Sequence, residues 1–194
     1  MFVLEWDMFR APVRATDGEA LELRLLEERH APSIFKLVDA DRAYLREWLP
    51  WVDATHAEDD TLSFIRSMRE QYAANESITA GIWRQDRFIG VIGTHKINWL
   101  LRKVELGYWL GESYQGNGIM TDACRVLIAH LFRDLDLNRV EIHCATGNAK
   151  SIAVPRRLKF IQEGTLREAG YANGRFLDLH IFGMLRKEWP LGLQ

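Results

Sequence analysis

The chain has 194 residues, of which 47% are hydrophobic and 27% charged, and its formal net charge is -2. This length and composition predict one soluble globular domain over residues 1–194, with a substantial hydrophobic core. The near-neutral charge argues against nucleic acid as a partner. The lack of an apolar run of about 20 residues argues against a membrane span.

The first half of the chain is predicted to be mainly helical. Residues 1–18 are expected to be irregular. Alternation and helical spacing of apolar residues then predict a strand over 21–25, a helix over 30–40, an aromatic segment over 45–51 and a helix over 58–73. Pro50 is expected to end the aromatic segment, and Asp59 or Asp60 to cap the second helix.

The second half is predicted to be richer in strands. The expected elements are strands over 78–83, 88–94, 104–110, 140–145, 161–171 and 176–185, a helix from 119 to about 135 and a short helix over about 149–158. Gln85-Asp86 and Asn173-Gly174 have the composition of hairpin turns, the latter of type I′. This order of elements predicts an α+β fold with a mixed sheet.

The N-terminus and the cysteines both favour a cytoplasmic protein. Residues 1–7 lack the basic region and apolar core of a signal peptide. Cys124 and Cys144 have no CxxC or Cys/His metal spacing, and the six histidines add none. We therefore expect free thiols in a reducing compartment and no metal site.

The most informative stretch runs from a strand through a glycine loop into a helix. Residues 104–110 are typical of a strand, Gly116 and Gly118 lie in the loop, and Ile119 begins an apolar-periodic helix. Such a loop turns backbone N–H groups toward an anion, with the positive end of the helix dipole behind them. Glycines let a phosphate approach the backbone closely, so this stretch predicts a pyrophosphate site.

Three phosphate-binding patterns compete for this loop. The dinucleotide fingerprint G-x-G-x-x-G is matched by only two glycines, and no acidic residue follows about 20 positions later. The Walker pattern fails because Gly-Lys-Ser/Thr is missing. The run Gln115-Gly116-Asn117-Gly118-Ile119-Met120 instead resembles the acyl-CoA loop Q/R-x-x-G-x-G/A of the GNAT N-acetyltransferases, with Met120 in place of the final small residue.

Further segments resemble the branch of the GNAT family that acetylates the N termini of ribosomal proteins. They are the strand over 104–110, the loop over 115–121, Asn148-x-x-Ser151 and residues 174–178, and the resemblance extends from about residue 21 to 189. It implies the GNAT fold, with flanking helices around a mixed central sheet whose fourth and fifth strands splay to admit the pantetheine arm.

The resemblance also implies acetyl-CoA as the co-substrate. The residues that it places around the cofactor are Trp109, Leu110, Gly111, Gln115, Gly116, Asn117, Gly118, Ile119, Met120, Thr121 and Asn148. The thioester carbonyl is expected to meet a backbone N–H near Trp109, because a splayed strand leaves amides unpaired. Asn148 is equally suited to capping the helix that follows it.

Glu105 is the candidate base and Ser151 the candidate acid. Glu105 stands in an otherwise apolar strand, where desolvation raises a carboxyl pKa. It resembles the strand glutamate that several GNAT enzymes use, usually through a water. The alternative is an ion pair with Arg102 or Lys103. By the same resemblance the Ser151 hydroxyl protonates the departing sulfur, and the alternative is a capping role.

The acceptor side is predicted by resemblance alone. Trp48 and Trp51 match the segment that lines the family's acceptor cleft, with burial in the core as the alternative, and Tyr171 is a weaker candidate. The expected reaction is direct transfer, in a ternary complex, to the N-terminal α-amino group of a ribosomal protein. The alternatives are a small amine such as a polyamine, an amino acid or a drug, and a non-catalytic CoA-binding module. Family members are often dimers, so a homodimer is possible.

Three more residues carry expectations of their own. Cys144 is expected to be a small buried hydrophobic residue rather than a partner of the CoA thiol. Lys159 stands where the family usually has the glycine that ends a helix in the left-handed conformation, so the helix end is expected to shift. Pro155 predicts a kink in that helix or a late start.

Overall fold

The structure, a computed structural model, describes residues 10–14, 18 and 20–190. The described strands are β1 Arg10–Arg14, β2 Ala20–Leu25, β3 Thr79–Arg84, β4 Arg87–Thr94, β5 Lys103–Leu110, β6 Arg139–Ala145, β7 Ile161–Ala172 and β8 Arg175–Leu185. The described helices are α1 Ala31–Ala40, α2 Arg42–Leu45, α3 Glu58–Ala73, α4 Ile119–Arg133 and α5 Ala149–Arg157. The prediction that there is no signal peptide falls on residues outside this part of the chain.

One mixed sheet organises the described residues. Its strands lie in the order β1-β2-β3-β4-β5-β6-β8-β7, and β5 and β6 form the one parallel pair among them. Helix α4 makes the long crossover that a parallel pair requires. The predicted α+β fold with a mixed sheet and flanking helices is confirmed.

The sheet divides into two halves along the parallel pair. The register of β5 and β6 runs from Lys103↔Arg139 to Leu106↔Ile142 and then stops. Beyond that point β5 pairs only with β4, and β6 only with β8. We call this point of separation the split. It corresponds to the splayed fourth and fifth strands that the resemblance implies, which are β5 and β6 once β1 is counted.

Alternation along β5 gives the two faces of the sheet separate hydrophobic cores. Val104 and Leu106 are buried in the larger core together with residues of α4 and α5. Trp109 points the other way and packs against the second core, which contains residues of α1 and α3. No helix in the described part of the chain is both long and apolar enough to span a membrane.

The sequence misplaces structure mainly near the N-terminus. Residues 10–14, expected to be irregular, form β1, which pairs with β2 through backbone bonds that need no special side chains. Pro50 begins a 3-10 helix over Pro50–Ala54 instead of ending a segment, because proline suits the first turn of a helix. Asp60 does support the start of α3, by accepting hydrogen bonds from the N–H groups of His56 and Ala57.

The end of α5 is not displaced by its lysine. Lys159 itself takes the left-handed conformation, with φ of +65°, and α5 ends at Arg157. The Phe160 N–H then bonds back to the Pro155 carbonyl at 2.9 Å, as it does in helices closed by glycine. The buried Phe160 ring holds the chain in place after the turn, which offsets the strain of a left-handed lysine.

Candidate active site

A cavity lies at the split, between the second half of β5 and helix α5. It extends from the segment after α2 to the start of α4. It is lined by Tyr44, Leu45, Trp48, Leu49, Tyr108, Trp109, Leu110, Tyr114, Gln115, Gly116, Gly118, Ile119, Met120, Thr121, Asn148, Lys150, Ser151, Ala153, Val154 and Arg157.

The loop over 115–118 presents open backbone at one end of this cavity. Gly116 and Gly118 have φ of +85° and +77°, a conformation that favours glycine. No atom lies within 4 Å of the position that a Cβ on Gly116 would occupy. Gly118 is the N-cap of α4, so the first N–H groups of that helix have no partners within it. An anion is therefore favoured at this end of the cavity.

Thr121 provides an independent sign of a polar ligand. Its side chain is buried in the first turn of α4, and it lines the cavity. Its Oγ1 has no hydrogen-bond partner among the described residues. Buried hydroxyls are normally paired, so this oxygen has the position and the free capacity to bond a phosphate oxygen.

Two basic residues of α5 face the same cavity and were missed by sequence reasoning. Lys150 donates to the Gln115 Oε1 at 2.9 Å and lies 5.3 Å from the centre of the Tyr44 ring. Arg157 lines the cavity with no ion pair among the described residues. Their spacing of seven residues, two helical turns, puts both on one face of α5 and could have indicated them.

Pro155 explains how Tyr108 is anchored beside the cavity. A proline has no N–H, so the Ser151 carbonyl one turn earlier lacks its usual helical partner. The Tyr108 hydroxyl donates to that carbonyl at 3.1 Å. Burial raises the pKa of Tyr108, so this hydroxyl keeps its proton.

The Ser151 hydroxyl lies between two other polar side chains. It is 3.2 Å from the Cys144 Sγ and 3.4 Å from the Tyr108 hydroxyl. Cys144 is buried, as expected, and both described cysteines are free thiols. Burial raises the pKa of Cys144, and the negative charge of Glu105 adds to this, while the bonds from Ser151 and Tyr108 oppose it. Glu105 stands one position before Leu106, the last residue of β5 that pairs with β6, so it lies beside the split.

Asn148 caps α5 and also lines the cavity. Its Oδ1 accepts a hydrogen bond from the Ser151 N–H at 3.0 Å. The capping role that the sequence allows is thus present. Its amide NH₂ is not used in that bond, which leaves a donor on the cavity side.

The backbone of β5 offers free hydrogen-bonding groups at the split. The Glu105 carbonyl and the Gly111 N–H bond toward the β4 side, at 2.9 and 3.0 Å. Backbone groups alternate along a strand, so Tyr108 and Leu110 direct theirs toward β6, which does not pair with them there. The Leu110 carbonyl accepts from the Gln115 Nε2 at 3.4 Å, and the N–H groups of Tyr108 and Leu110 are the ones near Trp109 that face the split.

Glu105 lies on the opposite face of β5 from Tyr108 and does not line the cavity. Neither predicted ion pair is present, since Arg102 pairs with Asp136 and Lys103 with Glu141. The Glu105 carboxylate instead contacts two imidazoles, His95 Nε2 at 3.7 Å and His143 Nδ1 at 3.4 Å. His143 lies on β6 and His95 follows β4, so spacing along β5 could not indicate either partner.

A second, polar groove adjoins the cavity on the far side of Trp48. Trp48 lines both spaces, and the other lining residues of the groove are Glu47, Thr146, Gly147, Glu168, Arg175, Phe176, Leu177 and Asp178. The Arg175 guanidinium lies 5.7 Å from the centre of the Trp48 ring and pairs with Glu47 at 3.0 Å. Gly147 lies beneath this ring, and a Cβ there would meet it at 3.4 Å, an ordinary van der Waals contact.

Five of the predicted site residues lie outside the cavity lining: Glu105, Trp51, Gly111, Asn117 and Tyr171. Trp51 packs against Trp109, with ring centres 5.8 Å apart, and Tyr171 packs against Phe176 on the hairpin. Met120 is buried in the core and also lines the cavity. Within the described residues, no group of histidine, cysteine and carboxylate side chains is arranged to hold a metal.

A helix N-terminus with unpaired N–H groups beside a split parallel strand pair suits an acyltransferase that takes its acyl group from a CoA thioester. Free strand amides suit the amide-containing pantetheine arm, and Thr121 and the glycine loop suit its pyrophosphate. Residues 20–161 match the family model described as "Acetyltransferase (GNAT) domain". The chain belongs to the GNAT acetyltransferase family.

Similar proteins agree with this assignment. YdaF of Bacillus subtilis, provisionally named a ribosomal N-acetyltransferase, is 38% identical over 89% of this chain and 94% of its own length. The ribosomal-protein-serine acetyltransferase of Escherichia coli is 31% identical over 87% of this chain and 94% of its own. A solved structure of RimL, a ribosomal L7/L12 α-N-protein acetyltransferase in complex with coenzyme A, superposes with a TM-score of 0.82. It is 31% identical and covers 85% of this chain and 93% of its own.

Proposed function

We propose that this acetyltransferase transfers an acetyl group from acetyl-CoA directly to the N-terminal α-amino group of a ribosomal protein. The observation that carries the proposal is the cavity at the split. It joins an anion-binding helix N-terminus to a strand edge with free amides, and across Trp48 it borders a groove open to solvent. Two reactants held side by side in this way need no covalent enzyme intermediate, and their proximity alone lowers the barrier substantially.

On the donor side, each part of the cavity has a role. The backbone of 116–120 and the Thr121 hydroxyl hold the pyrophosphate, and Lys150 and Arg157 add positive charge. The backbone groups of Tyr108 and Leu110 pair with the pantetheine amides and polarise the thioester carbonyl. Asn148 donates to the cofactor arm, and Ser151 protonates the departing thiolate.

On the acceptor side, Glu105 acts as the base through a water. Gly107 lies between Glu105 and Trp109 on the same face of β5, and a Cβ there would meet only His95, at 3.4 Å. The missing side chain leaves room for a water between the carboxylate and an amine at the split. An α-amino group, with an ordinary pKa of about 7.7–8.0, needs less help from a base than a lysine amine.

The groove beside Trp48 supports an acceptor that arrives as an extended chain. Its walls come from three places: the segment after α2, the end of β6 and the β7–β8 hairpin. The names of the relatives support a ribosomal acceptor, and such an acceptor implies the cytoplasm. A homodimer stays a prediction, which sedimentation would test.

A polyamine acceptor is the second candidate, and one observation favours it. Three carboxylates, Glu47, Glu168 and Asp178, line the groove beside Trp48 against one guanidinium, Arg175. Excess negative charge attracts a polycation. The acidic residues 58–60, by contrast, lie in the first turn of α3 and line neither space.

A panel of acceptors tests the proposal by release of the CoA thiol. Peptides beginning with Ser or Ala should support turnover, and the same peptides with a formylated N-terminus, the matched control, should not. Turnover with spermidine alone would instead select the polyamine candidate. Calorimetric binding of acetyl-CoA without turnover on any amine would contradict both and indicate a CoA-binding module.

A further inference from the structure

His143 lies between two glutamates beside the split. Its Nδ1 is 3.4 Å from the Glu105 Oε2, and its Nε2 is 3.4 Å from the Glu141 Oε2. Its side chain is 18% exposed, and its Nε2 is buried without a hydrogen bond among the described residues. Both contacts are at ion-pair distance and neither forms a hydrogen bond, so what the structure gives is an imidazole placed between the two carboxylates.

Glu141 is held as an anion by its own neighbours. Burial raises the pKa of Glu141, but the Arg139 hydrogen bond and the charges of Arg139 and Lys103 outweigh it and leave the pKa below its usual value. Arg139 bonds Glu141 at 2.7 Å, and Lys103 reaches it at 3.3 Å. Arg139 and Lys103 fix the Glu141 carboxylate beside Nε2. Transfer of a proton from Glu105 to His143 requires the tautomer with its proton on Nε2, which turns the lone pair of Nδ1 toward Glu105.

The charged groups around His143 and Glu141 come from four neighbouring segments. They are Lys103 and Glu105 on β5, Arg139 and Glu141 on β6, His95 after β4, and Glu163 on β7, which bonds Arg139. Opposite His143 and Glu141, β8 contributes Ile181 and Gly183, which carry no charge. Glu105 thus has one imidazole in a mostly buried position, His143, and one in an exposed position, His95, whose side chain is 66% exposed.

We propose that His143 is a positioning residue for acetyl transfer, which orients Glu105 and receives the proton that Glu105 takes from the acceptor amine. This inference rests on the proposed function. The amine proton moves through the water to the Glu105 carboxylate and from there to His143 Nδ1, while Nε2–H stays on the side of Glu141. The resulting imidazolium lies between two carboxylates and later returns the proton to solvent. In a Ser-His-Asp triad, a carboxylate likewise holds the histidine in one tautomer and stabilises the imidazolium that forms.

The test compares His143→Gln with His95→Gln, a matched removal of the exposed imidazole. His143→Gln should lower kcat/KM for a peptide acceptor about 10- to 100-fold at pH 7, with acetyl-CoA affinity unchanged. The loss should shrink above about pH 8, where the α-amine is already neutral in solution. His95→Gln should change kcat/KM less than about threefold, because its longer, exposed contact is screened by water.

Two further measurements separate this role from a structural one. The double variant Glu105→Gln/His143→Gln should lose no more activity than Glu105→Gln, because residues that act as a unit are not additive. Nitrogen NMR shifts of the unliganded protein should show the Nε2–H tautomer of His143, which Glu141→Gln should weaken. The NMR result does not depend on turnover, so it tests the inference even if the proposed acceptor is wrong.

Unchanged kcat/KM in His143→Gln would overturn the inference. The inference would also be overturned if His143→Gln lowered kcat/KM equally at every pH and the double variant lost activity by the product of the two single losses. If His143→Gln does not fold, Glu141→Gln tests the same relay, with a smaller loss that also shrinks at high pH. An Nδ1–H tautomer in the wild-type protein would contradict the direction of transfer.

Discussion

Pro155 leaves a backbone carbonyl of α5 free to accept a hydrogen bond from a side chain on β5. Sequence reasoning treats this proline as a defect of α5, whereas its missing N–H leaves the Ser151 carbonyl for the Tyr108 hydroxyl. The bond fixes β5 to α5 across the cavity. A local irregularity of the helix is therefore also what positions the two sides of the site.

Thr121→Val should have opposite effects on stability and binding. Valine keeps the shape of the side chain but removes a buried hydroxyl that has no partner among the described residues, so the melting temperature without ligand should stay equal or rise. Acetyl-CoA should bind about tenfold more weakly, because a hydrogen bond to a charged phosphate is lost. Calorimetry and thermal unfolding of the same samples measure both effects.

The matched control is Thr165→Val. Thr165 lies on exposed β7, where its hydroxyl contacts His180 at 2.8 Å, far along the sheet order from the cavity. It should leave acetyl-CoA binding unchanged. Full acetyl-CoA affinity in Thr121→Val would remove this hydroxyl from the pyrophosphate site.

The chemistry of single residues was only partly predictable. Asn148 and Ser151 could be found because a motif keeps them three positions apart on one helix start. The partners of Glu105 could not, because His95 and His143 approach it through sheet pairing. Propensity and spacing describe a residue's own element, and contacts between strands depend on register.

Among the structural elements, the loop over 115–118 differs from an ordinary glycine turn because it borders the cavity. Gly116 and Gly174 both have positive φ, +85° and +74°, and both have nothing within 4 Å of an added Cβ. Only Gly116 borders the cavity. Substituting each glycine therefore distinguishes the effect of backbone strain, which both positions share, from the effect of a methyl group on ligand binding, which only position 116 can show.

The Gly116→Ala and Gly174→Ala variants should be equally destabilised but should differ in their affinity for acetyl-CoA. Each alanine should lower the free energy of unfolding by about 1 kcal/mol, the cost of a left-handed non-glycine residue. Gly116→Ala should also weaken acetyl-CoA at least tenfold, since its methyl group occupies the space of the phosphates. Urea unfolding and calorimetry give both quantities, and equal acetyl-CoA affinity in the two variants would contradict the phosphate site.

Element boundaries were predictable wherever the periodic pattern was long. Helix α3 matches its predicted range, Glu58–Ala73, because four apolar positions mark one face and acidic residues mark its start. Strand β1 was not predicted because Pro12 interrupts the alternation of apolar and polar residues over Arg10–Arg14. Lys159 takes the conformation of the glycine that it replaces because tertiary packing outweighs local preference.

Across the whole molecule, the two halves of the sheet are paired at one end of β5 and β6 and separate at the split. The halves of the sheet remain attached through four paired positions of β5 and β6, Lys103↔Arg139 to Leu106↔Ile142. The sheet near this attachment includes a charged network in which Arg139 bonds both Glu141 and Glu163. The network holds β6 and β7 together over Gly183, whose missing side chain leaves room for it.

This network predicts how stability depends on pH. The Arg139 bond lowers the pKa of Glu163, and the charges around Glu141 lower its pKa despite burial, both from a reference of 4.5. A lowered folded-state pKa gives stability that is present above the reference value and is lost as pH falls through the folded value. Arg139→Met should therefore cost about 1–3 kcal/mol at pH 7 and less toward about pH 3.

Urea unfolding at several pH values measures that difference. Arg167→Met, which removes an exposed arginine of β7, is the control and should change stability little at any pH. A deficit of Arg139→Met that stays constant down to about pH 3 would mean that its packing, not its charge, supports the sheet.

The proposed function requires that this fold deliver an acetyl group to the α-amino end of a polypeptide. The most direct measurement uses one peptide that carries both a free N-terminal serine and an internal lysine, incubated with acetyl-CoA and analysed by fragmentation mass spectrometry. We predict a single acetyl group, on the N-terminal nitrogen, in the wild-type protein and far less of it in Glu105→Gln. Acetylation of the lysine instead, or an unmodified peptide under conditions in which acetyl-CoA binds, would contradict the account.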